Sequence, residues 1–217
     1  MKNRILVFLL VLISALASNA SAEKTVAPLP SDIDPAHLEN QSFYARILSY
    51  NADEHSLTVE ILKQELYDEK DILSLQPGDI IVSAGQEIKI HSLKVWEDPY
   101  AIFINPDPHY DYAVMNLCAD RWGNYYIERY GQLAWETIAV KNFPVTDSLL
   151  FLDYITNTTG DAMELPYVFS ADRVIEILES TQNREQLVIG LDIDNVYVTI
   201  DGEGNLATIH RHFVSWQ

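Results

Sequence analysis

The chain carries one cysteine, Cys118, in 217 residues. A single thiol closes no intrachain disulfide, so a fold of this size must be held by its core and not by covalent staples. Cys118 ends the apolar run Ala113-Val114-Met115-Asn116-Leu117, and it reads as a small buried hydrophobe and not as a nucleophile. Basic residues are also scarce: 14 Lys and Arg face 32 Asp and Glu, a formal charge of −18. Nucleic acid and anionic membrane surfaces both call for a basic face, and this composition argues against either partner. There is no Gly-x-Ser-x-Gly, no His-Glu-x-x-His and no P-loop, so the common signatures of hydrolases, zinc peptidases and nucleotide enzymes are missing.

One long apolar run is present, Ile5 to Ala17, preceded by Lys2 and Arg4 and followed by Ser18-Asn19-Ala20-Ser21-Ala22. A positive start, an apolar middle and small residues at −3 and −1 predict a secretory signal peptide over 1–22, cleaved between Ala22 and Glu23. The run is shorter than the roughly 20 apolar residues of a spanning helix, and no cysteine adjoins the cleavage site to carry a lipid anchor. The destination is the periplasm or the medium. The signal holds two basic residues and no acidic ones, which leaves a 195-residue mature chain with 12 basic and 32 acidic residues and a formal charge of −20.

Residues 23–41, with Pro28, Pro30 and Pro35, read as a flexible leader. From Phe43 the pattern becomes that of strands. Phe43 to Tyr50 and the alternating Leu57, Val59 and Ile61 flank the turn formers Asn51 to Glu54, which predicts a hairpin. Short strands at Ile80–Val82, Ile88–Ile90 and Tyr100–Ile104 extend the series and suggest a small barrel-like unit or twisted sheet over 42–104. Pro106 and Pro108 interrupt any ladder and place a boundary there. A second unit over 105–217 then combines further strands with one amphipathic helix starting at the Ser170 N-cap and a final hairpin across Asp201–Asn205; the two units could share one core. The fold class expected is α+β, predominantly antiparallel β.

Four groups of residues invite chemistry. Asp192, Asp194, Asp201 and Glu203 are the oxygen donors a calcium loop would use, although Leu206 and His212 occupy the positions where an EF-hand needs glycine and glutamate. A hairpin turn explains the same residues. No other cofactor is indicated. His210 and His212 share a strand face, but zinc needs three or four ligands. Trp122, with Tyr110, Tyr112, Tyr125 and Tyr126 close in sequence, would make an exposed stacking platform for a saccharide or peptide, set against the tendency of β-sheets to use such rings for packing. Carboxylate pairs such as Glu97-Asp98 or Asp107 with Asp111 would suit a glycosidase, but with so many acids such pairs arise by chance. An outer-membrane barrel fits poorly, because most strands are short and acids fall on both parities. The function expected is an exported, non-catalytic binding or interaction protein engaging a saccharide or another exported protein. The alternative is an extracellular hydrolase using paired carboxylates.

Overall fold

The computed structural model describes residues 23–97, 100–106, 115–129, 132–155, 165–183, 191 and 196–212. The expected signal peptide lies outside these residues. The α+β class, mostly antiparallel β, holds. A seven-stranded sheet dominates, built from β2 (Ser42–Asn51), β3 (Ser56–Gln64), β12 (Trp135–Pro144), β13 (Leu150–Asp153), β14 (Tyr167–Ser170), β15 (Val196–Ile200) and β16 (Leu206–Arg211). Its strands lie in the order β12-β3-β2-β15-β16-β13-β14. The β2–β3 and β15–β16 hairpins form as alternation predicts, and among the described residues of this sheet the β13–β16 pair alone runs parallel.

Alternation decides which face of this sheet is dry. Phe43, Ala45, Ile47, Leu57, Val59, Ile61, Phe151, Val198 and Ile209 all point to one side and are buried. Helix α2 (Asp172–Asn183) covers that side with Val174, Ile177 and Leu178. Burying each such side chain stabilises the fold by about 1.5–3 kcal/mol relative to exposure. Ser170 is not the cap it resembled: it closes β14, and its hydroxyl donates to the Asp172 carboxylate at 3.2 Å. Among the described residues no helix covers the opposite face of the sheet, and this open face carries the candidate site.

A second core lies beneath two smaller sheets. One contains β4 (Leu66–Asp68), β7 (Leu93–Glu97), β8 (Tyr100–Ile104), β9 (Met115–Ala119), β10 (Asn124–Arg129) and β11 (Gln132–Leu133); the other contains β1 (Thr25–Val26), β5 (Ile80–Ser83) and β6 (Gln86–Lys89). Tyr67, Ile81, Ile90, Ile104, Leu117, Tyr125 and Ile127 fill the space between them, with Ile72 from the five-residue helix α1 (Glu69–Leu73). Among the described residues neither sheet closes on itself, so the twisted-sheet form of the expectation applies and the barrel does not.

The first core draws on residues 38–61 and 143–209 and the second on residues 26–134. Trp135 pairs with Gln64, and β12 runs back along the length of β3. Residues 65–134 are therefore an excursion out of one long hairpin. Pro106 does interrupt a ladder, but β8 and β9 on either side pair with each other, Ile104 opposite Met115. Residues 23–41 are also more tied down than a leader. Thr25 and Val26 pair parallel with Ile80 and Ile81, Lys24 bonds Asp71 at 2.7 Å, and Leu38 is buried in the first core.

Candidate functional site

Trp122 sits where the sequence placed it, at the tip of the β9–β10 hairpin. Asp120 shapes the tip by accepting hydrogen bonds from the backbone N–H groups of Trp122 (2.7 Å) and Asn124 (2.8 Å), and Gly123 takes φ 86°. These bonds hold the Asp120 carboxyl below its ordinary range against a desolvation cost that opposes them. The Trp122 ring is 72% exposed, with the Arg121 guanidinium 4.2 Å above its centroid. The two described tyrosines do not share one face. Tyr125 is buried in the second core, while Tyr126, its neighbour, points to the opposite face near Cys118. Strand alternation alone forbids the two from sharing a platform. Tyr110 and Tyr112 lie outside the described residues.

Two of the four calcium candidates, Asp201 and Glu203, are described. The Asp201 carboxylate accepts from the backbone N–H groups of Glu203 and Asn205, both at 2.9 Å, and so shapes its own turn. These bonds lower its carboxyl from the ordinary value. Asp192 and Asp194 lie outside the described residues, and among those described no group of three His, Cys, Asp or Glu side chains is placed to hold a metal. No helix among the described residues is long and apolar enough to cross a membrane. Burial and the nearby Glu128 push the Cys118 thiol upward, away from the thiolate a nucleophile needs.

Strand order creates a site that is not contiguous in sequence. Because Phe43 and Ala45 enter the core, Tyr44 and Arg46 must face outward on β2. By the same rule Trp135, Tyr197 and His210 project from β12, β15 and β16 onto the open face, joined by His212 one residue past the end of β16. Their rings form a continuous row. Trp135 and Tyr44 have centroids 4.7 Å apart, Tyr44 and Tyr197 5.6 Å, Tyr197 and His210 6.1 Å, His210 and His212 6.0 Å, and His212 and Tyr154 4.4 Å. Leu62, buried between Tyr44 and Thr137, supports the row from below. Tyr44 is 45% exposed.

Polar groups interleave with the rings. Arg46 donates to Glu60 at 3.0 Å, the Thr137 hydroxyl donates to the other Glu60 oxygen at 2.7 Å, and Ser42 and Thr199 share a hydrogen bond of 3.1 Å. Thr208 lies 3.0 Å from His210 Nε2. Burial lowers the proton affinity of both histidines, and the neighbouring His212 lowers that of His210 further. Both imidazoles are therefore neutral at pH 7.

This has a consequence for stability. The unfolded chain takes up protons at an ordinary histidine value, near about 6.5, before the folded row does. The contribution is complete above that value and is lost as pH falls through it toward the lowered folded values. The urea midpoint should drop between pH 7 and pH 5, and a His210→Gln/His212→Gln variant should show a smaller drop. His37 works in the opposite direction, since its bond to Asp34 raises its proton affinity, and it is unchanged in both proteins being compared.

At its Trp135 end the row runs into a cleft between the two cores. Arg46 and Trp135 line it from the large sheet, and Ser83, Ala84, Arg129 and Gln132 from the smaller ones, around a volume of about 260 Å³. Beneath it the buried Glu65 carboxylate accepts from Tyr67 and Ser83 hydroxyls, each at 2.9 Å, and from Ala84 N–H at 2.7 Å. The other buried carboxylates are similarly engaged. Asp79 accepts from the backbone N–H groups of Lys24 and Gln76, and Asp153 pairs with Arg211.

Comparison of the chain with protein-family models, characterised proteins and solved structures gave no match. What fold and site define is a two-core β-rich protein with an aromatic row across an open sheet face.

Proposed function

We propose that this chain is an exported, non-catalytic binding protein that holds its ligand on the open face of the seven-stranded sheet, with a saccharide as the favoured ligand. The row from Trp135 to Tyr154 carries the reading. Rings that combine apolar area with a hydrogen-bonding tip suit a ligand with both C–H faces and hydroxyls, and Arg46, Glu60, Thr137 and Thr199 supply polar partners beside them. Export is supported by the signal-peptide pattern of residues 1–22, with cleavage before Glu23, and the strongly acidic composition suits a protein that must stay dispersed.

A second reading, another exported protein as partner, draws on exposed apolar residues at both edges of the same sheet. Val140 on β12 is 55% exposed at one edge, and Leu165, Tyr167 and Val168 are 77%, 51% and 59% exposed at the other; a run of exposed apolar side chains such as the second suits a contact surface. The carboxylate hydrolase has less support, because Glu65, Asp79 and Asp153 are each taken up by donors within the protein.

A thermal melt of residues 23–217 against a panel of soluble neutral and acidic polysaccharides tests the reading. A ligand bound only by the folded state stabilises it by about 2.7 kcal/mol at a hundredfold excess over its dissociation constant, which is a rise of several degrees in Tm. A rise with one polysaccharide class supports the saccharide reading. A melt unmoved by the whole panel removes it and leaves the protein partner.

A further inference from the structure

We propose that the cleft between the two cores is a carboxylate subsite, which takes the acidic group of an anionic saccharide whose neighbouring ring lies on Trp135 and Tyr44. The inference rests on the open-face reading and names its ligand class. In a chain with more than twice as many acids as bases, two guanidinium groups, Arg46 and Arg129, line one small cavity with Gln132 beside them.

The acids nearby are already satisfied. Glu60 has one oxygen on Arg46 and the other on Thr137. Glu65 is 4% exposed and accepts from Tyr67, Ser83 and Ala84. The donors are not. Arg129 Nε is enclosed and has no hydrogen-bond partner, and Arg129 makes no ion pair among the described residues. Arg46 commits Nη1 to Glu60 and remains 39% exposed, so most of its fork is open.

The Arg129 guanidinium lines the cavity with no acceptor among the described residues, and a ligand oxygen in the cleft would supply one. The planar fork of arginine matches a carboxylate in two-point contact. Glu60 and Glu65 balance the two guanidinium charges, which favours a singly charged carboxylate over a doubly charged phosphate. Trp135 belongs to both the cleft and the row, so one ligand can reach both.

Calorimetric titration with oligogalacturonate and with a neutral gluco-oligosaccharide of equal length tests this, alongside sodium acetate titrated against tryptophan fluorescence. The acidic oligomer should bind at least about tenfold more tightly than the neutral one, the factor expected of a charge-assisted pair. Arg129→Gln should erase that difference, while Arg129→Lys should retain part of it. Equal affinity for the two oligomers, unaltered in Arg129→Gln, overturns the cleft assignment and leaves the open-face reading standing. Acetate binding that depends on Arg129 without binding of either oligomer supports the cleft and removes the saccharide reading. No binding of any of the three overturns both. Should neither variant fold, acetate competition against the acidic oligomer in the unaltered protein decides, with an absence of competition counting against the cleft.

Discussion

Replacing Asp153 with alanine should cost about 3–5 kcal/mol, the penalty for breaking a buried ion pair from one side. Asp153 on β13 stands opposite Arg211 on β16, in the parallel pairing of those two strands. Its two oxygens accept from Arg211 Nε at 3.0 Å and Nη2 at 2.6 Å, with side chains 0% and 4% exposed. Asp153 also accepts from the Ile155 N–H at 3.0 Å, and the guanidinium lies 5.7 Å from the Phe151 ring centroid. Removing the carboxylate takes these two hydrogen bonds from a buried guanidinium, and a loss of that size is a large share of the roughly 5–15 kcal/mol that domains possess. Urea denaturation measures it. The double replacement Asp153→Leu/Arg211→Met should be less damaging than Asp153→Ala alone, because no charge is left unpaired. A cost below about 1 kcal/mol for Asp153→Ala, the range of exposed pairs, would mean that water reaches this pair.

Glu65→Ala should be the next most damaging change, at about 2–4 kcal/mol for two or three stranded buried donors. The side chain ties β4 to the tip of the β5–β6 hairpin, where Ala84 takes a φ of 49° outside the range most side chains prefer. Tyr67 would keep its bond to the Val82 carbonyl at 2.8 Å, but Ser83 and the Ala84 N–H would lose their acceptor. Burial and the Glu65 charge push the Tyr67 hydroxyl far above the ordinary phenol range, so it remains a donor throughout the working pH range. Hydrogen exchange at the Ala84 amide should accelerate in Glu65→Ala and much less in Glu65→Gln. Unchanged exchange would show that the turn holds its shape without this carboxylate.

Both of these residues show where reading by sequence stops. Asp153 and Arg211 are 58 positions apart, and each looks like an ordinary surface charge until β13 is laid parallel to β16. Local alternation identified β2, β3, β15 and the helix face, because a strand's dry side repeats every second residue and a helix's every third or fourth. Alternation also told in advance that His210 and His212 share a face. It could not supply strand order. Tyr44, Trp135 and Tyr197 become neighbours only when β12, β3, β2 and β15 lie side by side, and proximity in sequence pointed instead to the Trp122 hairpin. The period-two rule, applied to Tyr125 and Tyr126, contains the correction to that platform. Short strands such as β1 and β11, two residues each, leave no periodic signal, so the docking of residues 23–41 was not legible. Nor was the excursion over 65–134, since the partners β3 and β12 are separated by the whole second core.

The central claim is that the open sheet face, through its aromatic row, is the binding surface. The most direct test is the affinity of Tyr44→Ala/Tyr197→Ala for the polysaccharide that raises Tm, measured by calorimetry beside Trp122→Ala. Aromatic anchors at the centre of a contact commonly account for 2 kcal/mol or more, about thirtyfold in affinity. The double variant should lose at least that factor while still melting cooperatively, and Trp122→Ala should bind as the unaltered protein does. Full affinity in the double variant, or loss in Trp122→Ala alone, would contradict the account and move the site to the β9–β10 hairpin or elsewhere.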